Sequence, residues 1–191
     1  MNTSFIRTAS VATIALLSLP LPAPAQEEIA AELALAQAAT ANLRTLEAAR
    51  AAGYSQFHGC IEEPGKGAMG IHFVNEALAG DAVLNPARPE ALLFAPGAAG
   101  TPELVGVEYI VFRDTWHAGH AEPPALFGHP LHLTASPNRY GIPAFYALHV
   151  WIWRLNPSGT FADWNPQVGC ADRHGDAGAI GVLPAHGSTH E

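Results

Sequence analysis

Tyr146-Ala-Leu-His-Val-Trp-Ile-Trp153 decides the reading of this chain. Its β-branched and aromatic residues predict a strand that is apolar on both faces, yet His149 stands at its centre. Two further strand-like runs repeat the anomaly: Met69-Gly-Ile-His-Phe-Val-Asn75 carries His72, and Leu104-Val-Gly-Val-Glu-Tyr-Ile-Val-Phe112 carries Glu108. Burying an ionisable group is strongly unfavourable unless it is paired or ligated, so three of them at apolar centres predict a common site. Alternation along the last strand puts His149, Trp151 and Trp153 on one face. It groups Glu108 with Gly106, Ile110 and Phe112, and His72 with Gly70 and Val74.

Outward from these runs, further strands are expected near Phe57–Glu62, Ala91–Ala95 and Pro130–Thr134, with the central ones spanning Ala68–Asn75, Leu104–Arg113 and Ala144–Arg154. Prolines 86, 89, 96, 102, 123, 124, 137 and 143 mark the turns between them. Before all strands, Glu27 to Ala52 is rich in Ala, Leu and Glu at helical spacing and predicts one long amphipathic helix ended by Gly53. A helix followed by strands predicts an α+β fold, with the helix packed on a mostly antiparallel sheet or a partly closed barrel. The long segment Thr115–Gly128, with Trp116, His117 and His120, reads either as a lid or as a solvated excursion.

The first 25 residues contain Arg7, no acidic residue, an apolar stretch from Val11 to Leu21 and the small-residue end Ala23-Pro24-Ala25. This is the pattern of a signal peptide, which predicts a periplasmic or secreted protein. Residues 26–174 then fit one domain, with Gly175–Glu191 expected to form a poorly ordered tail. No stretch approaches the ~20 apolar residues of a membrane span. The net charge is −8, or −9 once Arg7 is removed, and Lys66 is the single lysine, which argues against nucleic acid as a partner. The two cysteines, Cys60 and Cys170, suit a disulfide in an exported chain, while Cys60 with His58 is an alternative zinc or copper pair.

Two imidazoles and a carboxylate form a common donor set for zinc, copper or iron, which makes His72, Glu108 and His149 candidate metal ligands. His132, between Leu131 and Leu133, is the candidate fourth. The same groups suit metal-free chemistry, with Glu108 as acid or base and His149 as its catalytic partner. Each residue taken alone is more simply a hydrogen-bonded core group, and it is their coincidence that points to function. The turn segment Asn156–Pro166 offers Trp164 and Asn165, with Trp151, as a wall and amide for binding a cofactor or small ligand. The alternative from another class is a noncatalytic carrier of an apolar or haem-like ligand, or a structural module. No nucleophile elbow, zinc-protease helix, phosphate loop, dinucleotide fingerprint or Cys-x-x-Cys occurs in the sequence.

The blocks Met69–Asn75, Leu104–Tyr109, Leu126-Phe-Gly128, Leu148–Trp153 and Trp164-Asn-Pro166 through Cys170 together resemble a family of exported bacterial proteins without an assigned activity. The resemblance spans about Leu43 to Cys170. It implies one domain over that range and a Cys60–Cys170 pair, and brings no substrate or cofactor.

Overall fold

The computed structural model describes residues 23–97 and 100–170. The predicted signal segment up to residue 22 and the predicted tail lie outside the described residues. In chain order the elements are helix α1 (Ala23–Thr40), helix α2 (Leu46–Ala51), strands β1 (Ser55–Gln56), β2 (Ile61–Glu63) and β3 (Gly67–Val74), and helix α3 (Glu76–Ala79). Strands β4 (Ala91–Pro96) and β5 (Pro102–Phe112) follow, then helix α4 (Arg113–His117) and strands β6 (Ala125–Leu126), β7 (His129–Pro130), β8 (His132–Thr134) and β9 (Phe145–Val150). The main sheet runs β1-β3-β4-β5-β9-β8 with β2 added to β3, and β6-β7 form a separate ribbon. Every pairing is antiparallel. Of the two expected architectures, the helix on an open antiparallel sheet is the one observed.

The sequence pattern predicts one helix to Ala52, whereas the chain breaks after Thr40 and restarts at Leu46. The hydroxyl of Thr40 donates back to the Ala36 carbonyl at 2.9 Å, and Thr45 caps α2 by accepting from the Ala48 N–H. These local side-chain bonds compete with helix continuation, and the break lets Leu43 and Leu46 both reach the core. Residues 25, 29, 32, 33, 36 and 40 of α1 are its less exposed stripe, at the expected 3.6-residue period.

That stripe covers one face of the sheet. Ile29, Leu33 and Ala36 pack in the largest cluster with Phe73, Leu92, Phe94, Val107, Tyr109, Val111, Leu148 and Val150. The opposite face carries Val74, Ala91, Leu93, Ile110, Phe145 and Ala147 in two smaller clusters. Both faces are therefore apolar, as the unbroken strand runs predict. The face away from α1 holds His72, Glu108 and His149.

The last strand stops at Val150, four residues before the predicted end. Alternation fails there: Trp151 packs with Leu93, Val105 and Val168 on the site face, whereas Trp153 turns to the helix side and donates from Nε1 to the Thr40 hydroxyl at 3.0 Å. The disulfide joins Cys60 to Cys170 across 110 residues, which excludes Cys60 as a metal thiolate. It ties the turn before β2 to the segment that follows β9.

A second buried carboxylate lies on the helix side of the sheet. Glu90 is 1% exposed, and its Oε2 accepts from the Ile110 N–H at 2.9 Å. Burial pushes its pKa up to about 8, against the Ile110 hydrogen bond that lowers it. The folded state therefore keeps a proton that the unfolded chain has lost above its ordinary value near 4.5. Its contribution to stability is full below that value and is lost as pH rises through about 8. Glu90→Gln preserves the acceptor and removes the charge, so its melting temperature relative to the parent should climb between about pH 4.5 and about pH 8 and level off above. Parallel thermal melts of the two proteins check this.

Candidate metal centre

The geometry of the site follows from register. His149 on β9 lies directly opposite Glu108 on β5, so their side chains share the site face. His72 is on β3, separated from β5 by β4, a span of roughly 9–10 Å at ordinary strand spacing. The bridge is made possible by small neighbours: Ala91 opposes both Glu108 and Val74, and Gly106 opposes Leu93, which itself opposes His72. A Cβ at Gly106 would stand 2.9 Å from the Val150 carbonyl oxygen and 3.3 Å from Leu93 Cδ1. Gly70, two residues before His72, has φ of +92° and passes so near Phe94 that a Cβ would lie 2.6 Å from its carbonyl oxygen. Only glycine fits there, and it seats the start of the His72 strand against β4.

The three side chains meet. His72 Nε2 lies 3.3 Å from His149 Nε2 and 3.4 Å from Glu108 Oε2, and His149 Nε2 lies 3.6 Å from Glu108 Oε1. All three residues are buried, with at most 6% exposure. A tetrahedral ion with bonds of about 2.0–2.1 Å separates its ligand atoms by roughly 3.3–3.4 Å. The Nε2–Nε2 separation matches one edge of such a tetrahedron, each imidazole has its own Glu108 oxygen at 3.4 or 3.6 Å, and the trio could hold a metal ion.

Electrostatics fit the same use. Burial pulls His72 down to about 3, helped by His149 and His58 and only partly offset by the Gly70 backbone, so its imidazole is neutral at physiological pH. Its Nδ1 is buried and completes no hydrogen bond among the described residues. For Glu108, burial raises the pKa against the pull of His149. For His149, burial lowers the pKa, but Glu108 and Asp163 outweigh it and the net shift is upward. The metal-free cluster thus retains protons that a cation would displace, while one neutral imidazole already offers a lone pair.

Asp163 is the functional candidate that the sequence reading passes over. Its Oδ1 sits 3.7 Å from His149 Nδ1, on the side of the ring away from the trio. At that distance the pair is an ion contact rather than a close hydrogen bond, and it occupies the position from which a carboxylate can orient a histidine that ligates a metal. The His149 contact holds the Asp163 carboxyl below its ordinary value. The signal was present in Phe161-Ala-Asp-Trp-Asn165, a polar turn downstream of the strand bearing His149.

The other predicted site residues fall elsewhere. His132 shares the site face, opposite Ala147, but its side chain is 63% exposed and touches Asp163 at 3.6 Å, outside the trio. It stands on a short strand at the sheet edge, where Leu131 rather than the histidine turns inward. Trp151 donates from Nε1 to the Ala162 carbonyl. Asn165 is fully buried, donates to the Leu155 carbonyl at 3.0 Å and forms a bridge with Ala68. Both hold the Asp163 segment in place. Trp164 lines a shallow surface depression with Lys66, Asp163 and Pro166. The segment Thr115–Gly128 does not cover the trio: His117 bonds Tyr146 Oη, His120 stacks on Trp116, and Phe127 enters the helix-side core.

No family model, curated protein or solved structure matches this chain.

Asp163→Asn should weaken binding of zinc or cobalt about 10- to 100-fold, as loss of such an orienting carboxylate does. His132→Ala should leave metal stoichiometry unchanged, because its ring is outside the trio. Competition titrations of the two variants against a chromophoric chelator check both.

Proposed function

We propose that this protein is a binder of one divalent transition metal, with His72 Nε2, His149 Nε2 and the Glu108 carboxylate as its ligands. The observation that carries this reading is the convergence of two imidazole Nε2 atoms 3.3 Å apart with the two oxygens of one carboxylate, Oε2 at 3.4 Å from His72 and Oε1 at 3.6 Å from His149, all buried and contributed by three separate strands. Zinc suits the two-imidazole, one-carboxylate set best, and copper or iron(II) accept the same donors. Three protein ligands leave a position for water or a substrate, which is the arrangement of a reactive rather than a closed structural centre.

The chemistry available follows from the residues. Glu108 would offset one of the cation's two positive charges, and Asp163 lies behind His149 at its Nδ1. Asp163 also touches the exposed His132, so a chain of titratable groups runs from the buried trio to solvent. With its Nε2 lone pair on a cation, His149 could not itself take a proton from a metal-bound water; Asp163 and His132 would tune the basicity of that imidazole, and the Glu108 carboxylate would be the proton acceptor at hand. The export pattern of residues 1–25 and the disulfide support a periplasmic or secreted location for this activity.

A noncatalytic haem-like carrier is less well supported. The cavity beside the trio has a volume of about 270 Å³, too small to enclose a porphyrin. Elemental analysis of protein purified without a polyhistidine tag should give about one zinc or copper per chain after dialysis against either ion. His72→Ala and His149→Ala should each abolish that uptake while retaining the native circular dichroism spectrum. Metal-free protein after loading, or variants that load as well as the parent, would overturn the proposal.

A further inference from the structure

The trio opens onto a cavity whose lining is almost entirely hydrocarbon. Its volume is about 270 Å³, and Phe57, Val74, Ile110, Phe112, Ile142 and Phe145 form most of its wall. His72 and Glu108 also line it, whereas His149 does not. The polar end of the cavity is thus the open side of the candidate metal centre, with His149 behind. Lysine and arginine are absent from the lining, and its polar groups apart from His72 and Glu108 are those of His58, Glu76 and Tyr140.

The wall is also shaped for a ring. Tyr140 stands 5.8 Å from Phe145 and 6.4 Å from Phe57, centroid to centroid, with interplanar angles of 62° and 40°. His58 meets Tyr140 edge-on at 5.6 Å. Aromatic faces and edges presented around one void favour a planar aromatic guest over a polar or strongly charged one. A closed apolar cavity of about 150 Å³ accommodates benzene, so this volume suits an aromatic molecule of about ten non-hydrogen atoms.

We infer that the cavity is the substrate or ligand seat of the metal centre, and that its occupant is a small aryl compound carrying one oxygen donor directed at the His72–Glu108 end. The donor head would take the open metal position and the ring would lie among Phe57, Ile110, Tyr140 and Phe145. This rests on the metal reading for the head group and on the cavity alone for the ring.

The two parts are separable by experiment. Cobalt-loaded protein is titrated with benzohydroxamate and with acetohydroxamate, which share a head group and differ in the ring, while the cobalt absorption bands are followed. Benzohydroxamate should bind at least tenfold more tightly. Ile142→Trp, which fills the cavity from a loop, should erase that preference, and Ile142→Ala should retain it. Equal affinities for the two hydroxamates on cobalt-loaded protein would overturn the aryl seat and leave the metal centre standing. Should cobalt fail to load, the metal reading falls, and benzyl alcohol added to metal-free protein decides the ring site. Amide chemical-shift changes confined to the neighbourhood of Ile110 and Phe145, and absent in Ile142→Trp, would support it; no change at those positions would overturn it.

Discussion

The organisation of this molecule turns on the burial of two imidazoles and a carboxylate within 3.6 Å of one another in an apolar layer. Folding strips water from all three, and no arginine or lysine is paired with any of them among the described ion pairs. Burial alone drives His72 and Glu108 toward their neutral forms. A cluster kept only for stability would be better replaced by hydrocarbon of similar volume. A cation resolves the conflict, because it uses the lone pairs on both Nε2 atoms and neutralises the carboxylate in one step.

The scaffold is divided to make this tolerable. One face of the sheet carries the largest hydrophobic cluster beneath α1, so most of the apolar burial lies away from the face with the polar trio. On the site face, Ala91, Gly106 and Ala147 keep the strand surfaces low around Glu108, which gives the imidazoles room to reach it. The disulfide and the Ala68–Asn165 bridge fix the chain segment that brings Asp163 to the back of His149. Cys60 also lies between His58 and Ile61, both of which line the cavity, so one covalent link steadies the cavity rim and the segment that carries the orienting carboxylate.

Much of this was legible in the residues. Strand runs with a single ionisable residue at an apolar centre identified His72, Glu108 and His149, because period-two alternation fixes their faces and burial forces them to find one another. The disulfide followed from two cysteines in a chain with an export pattern. What failed did so where local bonds or edges override periodicity. Thr40 and Thr45 divided a helix that composition reads as continuous, and the end of β9 at Val150 sent Trp151 and Trp153 to opposite sides. His132 looked buried from its leucine neighbours, but a three-residue edge strand leaves it in solvent. Asp163, Glu90 and the cavity depend on loop placement and on which strands adjoin, and a single sequence without strand order does not encode these in readable form.

The central claim concerns where a cation sits, and anomalous diffraction at the zinc absorption edge from crystals of the zinc-loaded protein tests it most directly. The account predicts one strong peak, about 2.0–2.1 Å from His72 Nε2, His149 Nε2 and a Glu108 oxygen, on the cavity side of the trio. A map with no peak between these side chains, or with zinc held only by surface histidines such as His132, would contradict it.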